Sequence, residues 1–240
     1  MKLSGFLLLI SISFSLFSQE EPFKNLERLE IDSVLGVIIK YDSSITEVFN
    51  KKLKDLNDSD PFYYNSIEDF SSHDIKAIKT KIDIKSNDEY YIVFSQGPSC
   101  DPIFEFYNSI KIKKPNFSIK GIKLYIPGNG YIYVSGHTNN LFDTKKKFEI
   151  KANKLVEVEQ PFYYVGLKTK TLKPVKLYNS QEFTNEIASL PENYDIEVLM
   201  YDYKNKLFIV RTDFGLVGWI NIGWIGQKPD LIDGIFYNGD

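Results

Sequence analysis

The strongest constraint on the fold is a two-residue alternation of apolar and polar side chains across residues 169–221. The alternation is clearest in three short segments, at 196–201, 207–212 and 217–220. Successive side chains of a β-strand point to opposite faces, so this pattern is typical of strands that bury one face. The last segment closes on Gly218-Trp219-Ile220. We therefore expect this part of the chain to fold as β-strands joined by tight turns.

A longer pattern surrounds these strands. A first strand near 172–178 leads through a polar loop to the spacing Ile187-x-x-Leu190-Pro191-x-Asn193, which precedes the central Val198-Leu199 strand. Together with the closing Gly218-Trp219-Ile220, this pattern resembles the bacterial Src-homology-3-like domain family over about 55 residues. The resemblance implies a small five-stranded barrel over residues 165–227, followed by a tail over 228–240. It also implies a module that binds or docks rather than catalyses.

One loop departs from that family. Many members carry an arginine-serine-glycine-proline stretch in the first loop, where this chain has Tyr178-Asn179-Ser180-Gln181. The usual ligand-facing loop is therefore altered here.

Five aromatic residues are the candidates for ligand binding: Tyr178, Tyr201, Tyr203, Trp219 and Trp224. Tyr201-Asp202-Tyr203 is similar to a motif of eukaryotic Src-homology-3 domains, which bind proline-rich peptides, but here it ends a central strand. The Trp219 indole could stack on a sugar or a prolyl ligand. It could equally close the barrel core with its N–H bonded to backbone, and we favour that interpretation.

Residues 22–160 match no family that we recognise and predict a mostly antiparallel β-sheet domain with one helix. Ser44 precedes Glu47 at the spacing of a capping box, and apolar residues follow at helical intervals, which predicts a helix over 45–56. Strands are predicted near 33–41, 78–84, 90–94, 103–107, 119–126, 131–135, 148–152, 155–158 and 161–165. Pro127-Gly128-Asn129-Gly130 predicts a hairpin turn, and Asn153-Lys154 predicts another.

The N-terminus has the pattern of a secretory signal peptide over residues 1–18. Lys2 provides the positive start, an apolar run extends from Phe6 to Phe17, and Ser18 offers a small residue before the acidic stretch. The run is short for a membrane span, although an uncleaved anchor is the alternative. We therefore expect an exported protein, periplasmic or extracellular, that does not span the membrane after signal removal.

The charge balance argues against nucleic acid as a partner. The formal net charge is −3, and removal of Lys2 with the signal peptide makes it −4, with no large basic block.

Cys100, the single cysteine, is the candidate nucleophile of the chain, and His137 is its candidate base. A nucleophilic cysteine commonly sits at a helix N-terminus, which lowers its pKa. Here Pro102 disfavours a helix opening, and the Asp101 carboxylate would raise the thiol pKa. Two histidines and one cysteine do not form a standard structural zinc site. We therefore predict no catalytic residues, no metal and no cofactor.

The sequence as a whole favours an exported, non-catalytic binding or scaffold protein of the cell envelope, not an enzyme. Its expected partner is a cell-wall glycan, a peptide or an envelope protein. The alternative is a cell-envelope cysteine peptidase that uses Cys100 and His137.

Overall fold

A computed structural model describes residues 23, 25–64, 70–97, 101–108 and 114–239. The predicted signal peptide and Cys100 lie outside these residues. The described chain is mainly β, and its helical content is limited to two single-turn 3-10 helices, Ser43–Ile45 and Leu53–Asp55. No helix among the described residues has the length and apolar character needed to cross a membrane.

The strands are β1 (Glu27–Asp32), β2 (Val37–Tyr41), β3 (Thr46–Lys52), β4 (Ile75–Lys81), β5 (Glu89–Ser95), β6 (Ile103–Asn108), β7 (Phe117–Lys120), β8 (Lys123–Ile126), β9 (Tyr131–Gly136), β10 (Thr144–Lys151), β11 (Lys154–Glu157), β12 (Tyr163–Lys170), β13 (Val175–Tyr178), β14 (Glu186–Leu190), β15 (Asp195–Asp202), β16 (Leu207–Thr212) and β17 (Val217–Ile220).

These strands form three sheets. The first has the order β1-β2-β8-β9-β10-β11, the second β3-β4-β5-β6-β7, and the third β12-β15-β16-β17-β13-β14. Neighbouring strands are antiparallel except for the parallel pair β2 and β8. The mainly antiparallel β character that the alternation predicted is therefore present throughout the described chain.

The first and second sheets share one core. Inward side chains of β2, β8 and β9 pack with those of β4, β5, β6 and β7, and Ile39, Ile92 and Phe104 are fully buried among them. The third sheet encloses a separate core around Val198, Phe208 and Ile220. Phe142, from the β9–β10 connection, also belongs to that core. One aromatic side chain thus anchors the first sheet to the third.

The chain changes sheet at Gly121, where a single strand over 119–126 was expected. β7 lies in the second sheet and β8 in the first, so the predicted strand is divided in two. A Cβ at Gly121 would lie 2.3 Å from the Val134 side chain. Because only a glycine allows the backbone to pass so close, the crossing between the sheets occurs there.

The helix predicted over 45–56 is wrong, since residues 46–52 form β3. β3 pairs with β4, and the hydroxyls of Thr46 and Thr80 lie 2.7 Å apart across the pair. A register shift between Val48 and Lys51, with Asn50 at φ 47°, interrupts the alternation. The bulge removes the regular alternation that would have indicated a strand, and pairing with β4 overrides the weak local preference for helix.

The hairpin at Pro127–Gly130 is confirmed by the antiparallel pairing of β8 with β9. The second predicted turn is displaced by one residue. Ala152 and Asn153 form the two-residue loop between β10 and β11, with φ of 48° and 59°. Two central residues with positive φ are the requirement of a type I′ turn.

Candidate functional site: an aromatic cleft beside the third sheet

A cleft of about 390 Å³ lies where the third sheet meets the β9–β10 connection. We call it the junction cleft. Four tyrosines line it together with amide and lysine side chains: Tyr163, Tyr201, Tyr203, Tyr237, Asn139, Asn140, Lys146 and Lys206. Tyr163 and Tyr201 occupy partner positions on β12 and β15, so strand pairing places them side by side.

The aromatic rings of the junction cleft differ in exposure. Tyr163 and Tyr201 are buried, at 5% and 6% of their maximal accessible surface, whereas Tyr203 is 67% exposed. The Tyr203 ring lies 6.0 Å from that of Tyr163 and 6.3 Å from that of Tyr201, within the range of favourable aromatic pairs. One largely exposed ring therefore packs at an angle against two buried rings.

Asp202 fixes the turn that carries Tyr203. Its carboxylate accepts hydrogen bonds from the Asn205 backbone N–H at 3.0 Å, the Asn205 amide at 2.9 Å and the Gln181 amide at 3.1 Å. Burial of this carboxyl opposes its ionisation, but these hydrogen bonds and one from the Lys204 backbone outweigh burial and lower the pKa of Asp202. The ionised carboxylate thus holds the turn in place at neutral pH.

Glu157 links β11 to the junction cleft. One carboxylate oxygen accepts the Tyr163 hydroxyl at 2.5 Å, and the other lies 3.1 Å from Lys146 Nζ. Burial, with help from the hydrogen bond to Glu157, raises the pKa of the Tyr163 phenol well above its ordinary value. The Tyr163 hydroxyl is therefore protonated at neutral pH and donates its hydrogen bond to Glu157.

The C-terminal segment closes the other side of the cleft. The Asn139 N–H donates to the Asn238 carbonyl at 2.6 Å, and the Asn238 N–H donates to the Asn140 carbonyl at 3.1 Å. The Tyr237 hydroxyl donates to the Asn139 side-chain oxygen at 3.1 Å. The end of the chain is thus bonded across to the connection between β9 and β10, which orders both walls of the cleft.

A wider groove of about 1220 Å³ adjoins the junction cleft and shares Tyr163, Tyr203 and Lys206 with it. We call it the edge groove. Its walls are the strand residues Leu155–Glu157 on one side and the turn Asp202–Lys206 on the other, and residues 159–163 connect them.

The predicted binding residues fall in three places. Tyr201 and Tyr203 lie together in the junction cleft. Tyr178 and Trp219 are partners on β13 and β17, on the outer surface of the third sheet. Trp224 is 87% exposed in the segment after β17. The structure therefore brings the five candidates together only as two separate pairs and one isolated side chain.

Tyr178 and Trp219 belong to a longer outward row. Register pairs connect five adjacent strands through the positions Tyr164, Met200, Ile209, Trp219 and Tyr178. Tyr164 is 57% exposed and Met200 39%. The preferred interpretation of Trp219 as a core residue is wrong, because Gly218 and Ile220 face inward on β17 and Trp219 between them faces outward.

Of the predicted cysteine and histidine pair, only His137 lies in the described chain. Its Nε2 is 2.9 Å from the Phe236 carbonyl, and its ring packs on that of Phe236. A carbonyl only accepts, so Nε2 carries the proton and Nδ1 is the basic nitrogen. Among the described residues no group of three histidine, cysteine, aspartate or glutamate side chains is placed to hold a metal ion.

Sequence reasoning missed Asn139, Tyr163 and Tyr237 as cleft residues. Asn139 has φ 52°, and its amide also donates to the Asp101 carboxylate at 2.8 Å. The Tyr163-Tyr164 pair was recognisable as one inward and one outward ring on a strand. Nothing local, however, indicated that the inward ring would border a cleft.

Comparison of the chain with protein-family models, with curated proteins and with solved structures gave no match. The candidate site therefore depends on its geometry alone. That geometry consists of aromatic faces and satisfied amide groups beside a wide groove, an arrangement suited to holding a ligand.

Proposed function

We propose that the chain is an exported, non-catalytic binding or scaffold protein of the cell envelope, and that the junction cleft is its ligand site. The ligand is a peptide, a glycan or a protein partner. In this proposal residues 165–227 form a Src-homology-3-like barrel. The antiparallel succession of β15, β16 and β17, and the return of β13 to β17, support that assignment.

The observation that carries the proposal is the largely exposed ring of Tyr203, packed against the buried rings of Tyr163 and Tyr201. An aromatic ring held on a rigid turn contributes contact area at little cost in conformational entropy. The hydrogen bonds of Asp202 supply that rigidity. Aromatic anchors at the centre of a pocket are the residues that commonly dominate binding energy.

The test compares two exposed aromatic residues at opposite ends of β16. Tyr203 precedes the strand and lines the cleft, whereas Phe214 follows it and is 85% exposed. The protein without residues 1–18 is assayed against purified peptidoglycan and against a displayed library of nine-residue peptides. Tyr203→Ala is expected to weaken binding about tenfold, from the loss of about 1–2 kcal/mol, while Phe214→Ala binds as the parent chain does. Equal affinities for the parent and Tyr203→Ala would exclude the junction cleft.

A cysteine peptidase using Cys100 and His137 is the second candidate function. It is supported by the orientation of His137, whose Nδ1 is left as the basic nitrogen. It is also supported by the hydrogen bond between Asp101, the neighbour of Cys100 in sequence, and Asn139, two residues from His137. Cleavage of peptidoglycan cross-links or of a peptide, abolished in Cys100→Ala, would establish this activity and overturn the non-catalytic proposal.

A further inference from the structure

The first sheet ends in a strand whose outer backbone groups face the edge groove. β11 pairs only with β10, through the partners Lys151 and Lys154, Ile150 and Leu155, Glu149 and Val156, and Phe148 and Glu157. In an antiparallel hairpin with a two-residue loop, the residues flanking the loop form a hydrogen-bonded pair, and such pairs then alternate. The hydrogen bond from the Val158 N–H to the Lys147 carbonyl, at 2.8 Å, agrees with this assignment of the hydrogen-bonded pairs.

It follows that Lys154 and Val156 direct their N–H and C=O groups to β10, whereas Leu155 and Glu157 direct theirs away from it. No backbone hydrogen bond within the described residues uses the N–H or C=O of Leu155 or Glu157. Two donors and two acceptors therefore face the edge groove in the spacing of a β-ladder. Such a row is a template for another extended chain.

β11 is also an edge strand without a bulge. The edge strands β1, β3, β12 and β14 each carry a register shift, which weakens an edge as a template, whereas β11 and β7 have none. β11 in addition forms one wall of the edge groove, with the Tyr203 turn opposite. At about 1220 Å³ the groove exceeds the roughly 300–1,000 Å³ of small-molecule pockets.

We propose that the edge groove binds an extended peptide segment of a protein partner, which adds to the first sheet as a strand beside β11. The inference rests on the proposed binding function, names a ligand class for it and extends the site from the junction cleft into the adjoining edge groove, which shares Tyr203. Backbone groups of Leu155 and Glu157 supply the ladder bonds. Alternate side chains of the peptide then meet Val156 and Phe162, which are 38% and 37% exposed, and the ring of Tyr203. Strand addition of this kind takes affinity from main-chain bonds and selectivity from alternate side chains.

The groove carries charges of both signs, which include Glu159, Lys204 and Lys206. The groove therefore favours neither a strongly acidic nor a strongly basic peptide. A peptide that carries charges of both signs, with apolar residues at alternate positions, fits the groove best.

The test uses the protein without residues 1–18 and the tightest nine-residue peptide selected from a display library. Amide hydrogen exchange is followed by NMR with and without the peptide. The N–H groups of Leu155 and Glu157 are expected to exchange at least about tenfold more slowly when the peptide is bound, because each gains a ladder bond. Those of Lys154 and Val156 already bond β10 and serve as internal controls. N-methylation of the peptide at alternate positions is expected to abolish binding, and methylation of the intervening positions is not.

Two substitutions of Glu157 measure the contribution of its backbone N–H to peptide binding. Glu157→Ala and Glu157→Pro both lose the carboxylate contacts, but only proline also removes the N–H that faces the groove. Glu157→Pro is expected to bind the peptide at least about tenfold more weakly than Glu157→Ala, with both variants shown to be folded by the dispersion of their NMR spectra.

The outcomes separate this inference from the function on which it rests. A peptide that binds without slowing exchange at Leu155 and Glu157, or without an alternating N-methyl pattern, overturns strand addition and leaves the binding function standing. Binding of peptidoglycan glycan alone, with no peptide selected, also overturns strand addition. Absence of binding to peptide, glycan and envelope proteins overturns both.

Discussion

Substitution of Asp60 by asparagine is expected to destabilise the protein more than substitution of its partner Lys76 by methionine. Lys76 Nζ lies 2.9 Å from the Asp60 carboxylate, and only 6% of the lysine side chain is exposed against 21% for the aspartate. The rings of Phe49, Phe62 and Tyr91 surround the same ammonium, at 4.3, 5.2 and 5.1 Å from Nζ to the ring centroids. The more deeply buried charge is therefore the lysine.

The loss in the free energy of unfolding depends on which of the two charges remains in the variant. Breaking a buried pair by removing one partner costs about 3–5 kcal/mol, because the remaining charge has no compensation. In Asp60→Asn the three rings still attract the ammonium, at roughly 0.5–2 kcal/mol each, so we expect a loss of about 2–4 kcal/mol. Asparagine keeps a side-chain oxygen for the Phe62 N–H, which Asp60 binds at 2.9 Å, so this loss reports the charge alone.

In Lys76→Met the buried charge is replaced by an apolar chain of similar volume, and the aspartate left behind is the more exposed of the two. We therefore expect a loss of at most about 1.5 kcal/mol. The double variant is expected to resemble Lys76→Met, because its asparagine no longer faces an unpaired ammonium.

Urea unfolding at neutral pH measures all three variants, and their double-mutant cycle gives the coupling energy. Glu89→Gln is the control, since Glu89 forms an ion pair with Lys79 and is 38% exposed, and we expect it to cost at most about 1 kcal/mol. The reasoning is refuted if Asp60→Asn costs less than about 1 kcal/mol, or if Lys76→Met is the more destabilising variant.

Three further outcomes are expected from the close contacts and the bonded turns. Gly218→Ala is expected to cost about 1–3 kcal/mol in thermal unfolding, because its Cβ would lie 2.5 Å from the Tyr178 carbonyl oxygen; an unchanged melting temperature would contradict that packing. Asn139→Ala loses two side-chain hydrogen bonds and strains a backbone at φ 52°, whereas Asn139→Gly loses only the bonds, so urea unfolding is expected to rank alanine as the less stable variant. Because the pKa of Asp202 is lowered in the fold, its stabilisation is present above the unfolded pKa of about 3.9 and is lost as the pH falls through the folded value. The stability difference between the parent and Asp202→Ala is thus expected to shrink between pH 7 and about pH 3, and a constant difference would show that the carboxylate does not hold the turn.

Local signals were sufficient for most strands. The alternation over 196–201, 207–212 and 217–220 predicted β15, β16 and β17 nearly residue for residue, because each strand buries one face against the same core. The helix predicted over 45–56 is wrong for a physical reason, since the bulge at Asn50 breaks the alternation that indicates a strand while pairing with β4 holds residues 46–52 extended. β1 was missed because its residues are mostly polar, and only its pairing with β2 makes it a strand.

The candidate site was less accessible to sequence reasoning. Tyr201 and Tyr203 were predicted because they are close in sequence and stand near a strand end. Tyr237 and Asn139 are hydrogen bonded although 98 positions separate them in the chain. No periodicity within either segment specifies that contact, because it arises only when the C-terminal segment returns to the β9–β10 connection.

Alternate residues of β17, which ends in Gly218-Trp219-Ile220, face the core and the outer surface of the third sheet. Ile220 is buried in the third core, Gly218 admits the β13 backbone, and Trp219 points outward beside Tyr178. On β15 a register shift between Val198 and Met200 interrupts the alternation, so that Met200 is exposed and Tyr201 faces inward toward the junction cleft. The cleft also needs Asn139 and Lys146, which precede the third sheet in the chain. Neither the third sheet nor the first therefore contains the junction cleft by itself, and the ligand binding that we propose there would depend on the contact between them.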